Sequence, residues 1–428
     1  MISPGITGLI ILALMVVLFI WQPIPAPATG CLGCVLMVLL GVSSFEDTFS
    51  GFSSSIVLLM ASAMVVGIAM FKTGAAQIIG RMVIRLSHGN EMFFLMASCI
   101  VAGLLSMFLA NTAILAAFIS IVDSVCRTSP KIKQRNIVLP LACSVMFGGA
   151  STLIGCTPQL TANGLMSEMV GIEMGMWDLT GPGLFLFALF LLYLFFFGYR
   201  HGKTIWSGRK SVEMVADEEK IRSVIEAEYD RRKVRLMLFI TGAMIISYMT
   251  SIIPVALTAL IAALLCVLLG LCTVEDIEKE LDWKTIVFLA SCLGLANALT
   301  VSGSGEIIGD AVASMLGDIR SPFIIFSVLV LLTLFISQFI TNSTAIIITL
   351  PVALSLCTLY GFNHMAFCIG ITLGASIACC TPLAAAQITM TQVAGYDFAD
   401  YLKYCLPLTL LCYIGILFIV PLFFPLSG

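Results

Sequence analysis

Four short polar clusters interrupt otherwise apolar stretches of the sequence. They are Ala110-Asn111-Thr112, Gly155-Cys156-Thr157-Pro158-Gln159, Thr341-Asn342-Ser343 and Cys380-Thr381-Pro382-Leu383-Ala384. A break inside an apolar helix exposes carbonyls at one stub and N–H groups at the next. Backbone carbonyls, hydroxyls and Asn carbonyl oxygens suit a hard cation such as Na+. The N–H ends carry positive partial charge and suit an anion. An Asn does both, because its oxygen takes a cation while its NH₂ donates to a carboxylate. Asn111 and Asn342 are therefore the residues expected to couple an ion to an anionic substrate. None of the clusters contains Asp, Glu, Lys, Arg or His. A proton-driven carrier needs a titratable group at such a place, so the chemistry points to Na+ coupling. It also means that an anion there is held by neutral donors and helix ends.

The competing explanation is that Asn and Thr glue helices together while Gly and Pro kink them. That accounts for any single break, but less well for four breaks in two matched pairs. Gln387, Thr389 and Thr391 read as packing residues. The 15 Cys are scattered through apolar segments and read as small packing residues, including the C-x-x-C of Cys31 and Cys34 and the pair Cys379-Cys380. The three His are far apart in sequence, and no metal cluster or nucleophile–base pairing appears in the spans, so neither an enzyme nor a resident cofactor is expected.

The elements that position these clusters follow from composition. Hydrophobic residues make up 60% of the 428 and charged residues 11%, against about 25% charged in soluble domains. The apolar runs are too long for barrel strands, so the chain is an all-α polytopic membrane protein. No basic domain offers a nucleic-acid-binding face. The apolar run from Gly5 to Trp21, followed by Ala26-Pro27-Ala28, mimics a cleaved leader but lacks a basic start.

The sequence also matches itself. Leu39-Leu40-Gly41 with Glu46-Asp47 recurs as Leu268-Leu269-Gly270 with Glu275-Asp276, at an offset of 229 shared by Pro25 and Pro254, by Gly74 and Gly303, and by two Ile-Ile-Gly triplets at 78–80 and 307–309. Ser106-x-Phe108-Leu109-x-Asn111 recurs as Ser337-x-Phe339-Ile340-x-Asn342, and Gly149-Ala150-Ser151 as Gly374-Ala375-Ser376. Each half then reads as five spans plus one stretch of about 35 residues, 92–126 or 322–360, interrupted at its Asn, against ~20 residues for one crossing. Such a stretch forms either two full crossings or a re-entrant hairpin. The hairpin is preferred because it keeps the polar tip within the membrane.

Five crossings is an odd number, so the two halves are expected to be inverted repeats. With both termini outside, 20 of the 21 Lys and Arg fall in cytoplasmic segments, and only Arg320 lies outside. The first repeat covers 1–200, with a scaffold part at 1–89 and a transport part at 90–200. A cytoplasmic linker follows at 201–235, partly amphipathic and rich in charge. The second repeat covers 236–428, with a scaffold part at 236–320 and a transport part at 321–428. In inverted-repeat carriers, paired breaks form the ion and substrate site near the midplane.

On these tips and breaks the sequence resembles the divalent anion:sodium symporter family of the ion transporter superfamily, over nearly the whole chain. That family carries paired Ser-Asn-Thr tips, each followed by a Pro-Pro-Asn-like break. The resemblance implies an elevator, a small dicarboxylate or tricarboxylate anion as cargo taken up with Na+, and a homodimer in the cell membrane. It implies one Na+ site at Ser106, Ala110, Asn111 and Gly155, and another at Ser337, Thr341, Asn342 and Cys380. Substrate carboxylates would meet Asn111, Thr112, Cys156, Thr157, Asn342, Ser343, Thr381 and Pro382. Ala110 stands in place of a hydroxyl, Cys156 in place of Ser or Thr, and Gln159, Leu383 and Ala384 depart from the Pro-Pro-Asn pattern. The chain also reads as starting at the repeat, without the family's usual extra first span. A proton-coupled permease, a carrier of sulfate or arsenite, and an anion channel are the rival expectations.

Overall fold

The computed structural model describes residues 3–21, 23–75, 90–128, 132–206, 230–250, 252–305, 307, 310–311, 314 and 320–427. The first-half Ile-Ile-Gly triplet and the middle of the linker lie outside them. The first half runs α1 (Pro4–Trp21), α2 (Ala26–Leu39), α3 (Phe45–Phe49), α4 (Ser55–Lys72), α5 (Glu91–Ser106), α6 (Asn111–Thr128), α7 (Val138–Gly149), α8 (Thr157–Val170) and α9 (Thr180–Tyr193). A π-helical turn, Leu194–Gly198, carries α9 on into a last stretch, Tyr199–Ile205. The second half runs α10 (Arg231–Thr250), α11 (Val255–Leu268), α12 (Val274–Glu280), α13 (Trp283–Val301), α14 (Pro322–Ile336), α15 (Asn342–Tyr360), α16 (His364–Ser376), α17 (Ala386–Met390) and α18 (Phe398–Phe423). Element for element, the second half follows the order of the first.

The recurring Leu-Leu-Gly and Glu-Asp pairs have a local cause. Pro25 and Pro254 sit in extended backbone immediately before α2 and α11. Each helix then ends at a glycine in the left-handed region, Gly41 at φ 67° and Gly270 at φ 65°. A side chain there would be strained, and glycine is not. The chain restarts at a capped turn. Ser44 accepts from the Asp47 N–H at 3.0 Å, and Thr273 accepts from the Asp276 N–H at 3.1 Å. The Asp276 carboxylate in turn accepts from the Thr273 N–H at 3.0 Å, closing a capping box.

These stops fix α2 and α11 at 14 residues each, about 21 Å at ~1.5 Å per residue, so a crossing of a ~30 Å hydrocarbon core there is completed by the residues on either side. Among the described residues, seven helices are long and apolar enough to cross a membrane, and shorter apolar helices accompany them. Along α18, Leu402, Leu406, Leu410, Ile414, Phe418 and Leu422 recur every fourth residue and are all exposed. A stripe of that length would drive aggregation in water and is ordinary against lipid.

The halves exchange partners. Helix α2 packs on α13, while α11 packs on α4. Within each half the first hairpin arm packs on the helix that precedes the break, α5 on α7 and α14 on α16. Close approach in the first of these pairs depends on Gly103 and Gly148, because a methyl group on Gly148 would run into the Gly103 carbonyl. Gly148→Val is therefore expected to lower stability by about 1–3 kcal/mol, read as a fall in thermal unfolding temperature in detergent. Gly67→Ala, where a methyl meets nothing within 4 Å, should leave it unchanged.

Candidate functional site

The two hairpin tips are built alike. Helix α5 ends at Ser106, four residues turn, and α6 begins at Asn111. The fully buried Ser106 hydroxyl has two acceptors, Asn111 Oδ1 and, at 2.8 Å, the Val145 carbonyl of α7. In the second half the fully buried Ser337 hydroxyl has Asn342 Oδ1 at 2.8 Å and the Ala375 carbonyl of α16 at 3.1 Å. The same Ser–Asn–carbonyl triangle thus forms twice, each an all-oxygen cluster that fits a hard cation. Val145 and Ala375 were absent from the expected sites. A backbone carbonyl leaves no mark on residue type, so the only available clue was their place in the arm before each break.

One difference between the tips was legible. Thr341 caps α15, its hydroxyl accepting from the Thr344 N–H at 3.4 Å. Ala110 at the matching place has no hydroxyl to offer, and only its carbonyl engages the first turn of α6.

The breaks are stitched to the tips. The Thr152 hydroxyl donates to the Met107 carbonyl, and the Thr381 hydroxyl to the Gln338 carbonyl. The Cys380 N–H donates to Gln338 Oε1 at 2.9 Å. In the first half, Asn111 Nδ2 reaches Cys156 Sγ at 2.8 Å. Gly149 makes room for that contact, since a Cβ there would sit 2.6 Å from the Asn111 amide. Gln159, fully buried, donates to Ser376 Oγ at 3.2 Å and so ties the first break to the arm of the second.

Both tips and both breaks face one cavity of about 570 Å³. Of the residues expected to bind substrate, Asn111, Thr112, Cys156, Thr157, Asn342 and Ser343 line it. Thr381 and Pro382 do not; the second break turns Leu383, Ala384 and Ala385 toward the cavity instead. Of the expected cation ligands, Ala110, Gly155 and Thr341 also line it, whereas Ser106, Ser337 and Cys380 lie behind its wall. Gln387, read from sequence as packing, is a lining residue, as is Ser376. Thr391 is buried and pairs with the Tyr401 hydroxyl at 2.8 Å. The helices α6, α8 and α15 all present their first residues to the cavity, so three N-terminal ends direct positive partial charge into it.

At its mouth the cavity meets Glu280, Asp282 and Lys284. Nearby, Lys72 bridges Asp276 at 2.8 Å and Glu280 at 2.7 Å, joining α4 to α12. The Lys72 ammonium, with the Thr273 N–H and hydroxyl, holds the Asp276 carboxyl well below the usual carboxylate range. That side chain therefore stays ionised at any physiological pH.

Comparison with known proteins identifies the family and the fold. The family model described as citrate transporter matches residues 16–331. The sodium-dependent dicarboxylate transporter SdcS of Staphylococcus saprophyticus is 22% identical over 413 residues, covering 88% of this chain and 78% of its own. In three dimensions, MtrF of Neisseria gonorrhoeae, reported as illuminating a class of antimetabolite efflux pumps, aligns with a TM-score of 0.66 at 11% identity, over 100% of this chain and 96% of its own. The YdaH transporter of Alcanivorax borkumensis aligns with a TM-score of 0.61 at 14% identity, over 91% and 87%. At such identities these two structures speak to the fold alone.

Cys156 is the cysteine that lines the cavity, whereas Cys292 and Cys357 are buried elsewhere. A small charged thiol reagent is expected to modify Cys156 at least about tenfold faster than either, because access favours it. Peptide mapping by mass spectrometry checks this order.

Proposed function

The chain belongs to the citrate transporter family, and from that premise we propose that it is a secondary active transporter that carries Na+ and a small di- or tricarboxylate into the cell. The observation that carries the proposal is the meeting of two uncharged tip-and-break assemblies, one from each half, across one cavity. Such a site recognises an anion through helix ends and amides, and a hard cation through the two Ser–Asn–carbonyl triangles. Ser106, Asn111 and the Val145 carbonyl would serve one ion; Ser337, Asn342 and the Ala375 carbonyl would serve the other. Carboxylates would meet the Asn111 and Asn342 amides, Thr112, Thr157 and Ser343.

The matched order of elements in the two halves supports the inverted-repeat reading, and the tips at the cavity wall support re-entrant hairpins. Packing supports a division into scaffold and transport parts. Helices α2, α4, α11 and α13 pack on one another across the halves, and α7, α9, α16 and α18 form a second group. Between them, α8 runs against α13. An elevator would slide along that surface. The cavity is lined by Ala26, Pro27, Phe71, Glu280 and Lys284, all from loops or helix ends on the face that the charge bias assigns to the cytoplasm. In this reading the described conformation is open inward, and the protein works as a homodimer.

Purified protein in liposomes is expected to accumulate labelled citrate or succinate when an inward Na+ gradient is imposed. Uptake that follows a proton gradient and ignores Na+ would overturn the coupling. Asn111→Ala and Asn342→Ala are each expected to cut uptake by at least about tenfold, the loss of a hydrogen bond to a charged group being about 1.5–3 kcal/mol. Expression and elution volume should remain those of the parent. Parent-like transport by both variants would move the site elsewhere.

A further inference from the structure

Away from the cavity, three thiols converge from three separate segments. Cys143 of α7, Cys379 of the second break and Cys405 of α18 are fully buried, and their Sγ atoms lie within 4.8 Å of one another. Cys379 Sγ also has Thr409 Oγ1 at 3.4 Å. Other buried cysteines are placed differently: Cys34 donates to the Ser291 carbonyl at 3.3 Å and Cys368 to the Ala162 carbonyl at 3.7 Å, as packing residues do. The trio forms a compact soft-ligand set.

Charge decides what such a set would hold. The site lies in the apolar interior, where an unpaired charge is costly. Three thiolates around a monovalent ion leave two negative charges, and around a divalent ion they leave one. Around a trivalent centre they leave none. We infer that the Cys143–Cys379–Cys405 trio is a binding site for a trivalent thiophilic metalloid, presented as neutral arsenous or antimonous acid, and that this site is separate from the transport cavity. The reaction is a condensation. Three bonds from the metalloid to hydroxyl oxygen break and three bonds to sulfur form. Each thiol proton leaves with a hydroxide as water, so no electron is transferred and every species stays neutral. Ser376 and Leu383, which line the cavity, stand three residues before and four residues after Cys379 in the chain. Binding would fasten the second break to α7 and α18.

The test uses the full chain, purified in detergent, incubated with sodium arsenite and desalted. The expected result is one retained arsenic per chain, with X-ray absorption showing three sulfur neighbours, and a raised unfolding temperature because the ligand binds the folded state. Cys143→Ser and Cys405→Ser should each lower retained arsenic to below about a tenth, since even losing an outer-shell partner costs about tenfold or more in metal affinity. A Cys31→Ser, Cys34→Ser double variant should retain it. Oxygen-only coordination, no retained arsenic, or undiminished retention in the trio variants would overturn the assignment. Where a Ser variant does not elute as a single species, protection on the parent decides. Arsenite should shield Cys143, Cys379 and Cys405 from alkylation after unfolding, and shielding of other cysteines instead would refute the site. None of these readings depends on transport, so the proposed function and this site stand or fall separately.

Discussion

Hydrocarbon leaves no backbone polar group free, and that constraint shapes every feature of the site. Where α7 stops at Gly149 and α16 stops at Ser376, helical carbonyls and amides lose their intrahelical partners. The chain meets the loss with its own short polar side chains. Thr152 and Thr381 donate to tip carbonyls, Gln338 accepts from the Cys380 N–H, and Thr180 donates to the Ser151 carbonyl at 2.9 Å. Tip and break therefore support each other, and neither would be stable in lipid alone. What remains unsatisfied is directed at the cavity: the opening turns of α6, α8 and α15. Around the tips and breaks the electrostatics arise from dipoles, while the formal charges of Glu280, Asp282 and Lys284 stand at the mouth.

The two halves solve this problem with the same parts but unequal results. Their Ser–Asn–carbonyl triangles coincide. Their breaks do not, since α8 runs for 14 residues after the first break whereas α17 runs for five after the second. Thr341 caps its helix and Ala110 does not. The first half thus brings a long helix with its N-terminal end at the cavity, and the second brings an irregular segment with Leu383 exposed. The two breaks therefore face the cavity with different chemistry, a helix N-terminus from the first and the apolar Leu383, Ala384 and Ala385 from the second.

Much of this was legible in the sequence, for reasons that differ by feature. The tips and breaks were found because polar residues in apolar runs are costly and therefore rare. The repeated Leu-Leu-Gly and Glu-Asp pairs were found as matches, but their meaning as a glycine stop and a capped restart needed the backbone angles. Val145 and Ala375 were invisible because what they offer Ser106 and Ser337 is a main-chain carbonyl. That Gln387 lines the cavity could not be read from its type, which suits packing equally well. The three converging thiols were read singly, and only the packing of α7, the second break and α18 makes them a group.

The hydroxyls of Ser106 and Ser337 show how the proposed coupling would work without a titratable group. Each has one proton and two acceptors, the Asn side-chain oxygen and a main-chain carbonyl. Without an ion the proton satisfies the Asn oxygen. A cation that takes over this oxygen frees the hydroxyl to donate to the carbonyl, and the hydroxyl oxygen then turns a lone pair to the cation. No donor is stranded at any stage, so ion entry avoids the cost of about 1–3 kcal/mol that an orphaned buried group would impose. The cation also polarises the amide on the same Asn and strengthens its donation toward the cavity. Ion and anion would then favour each other through one side chain on each side of the cavity, and that reciprocity is the thermodynamic content of symport.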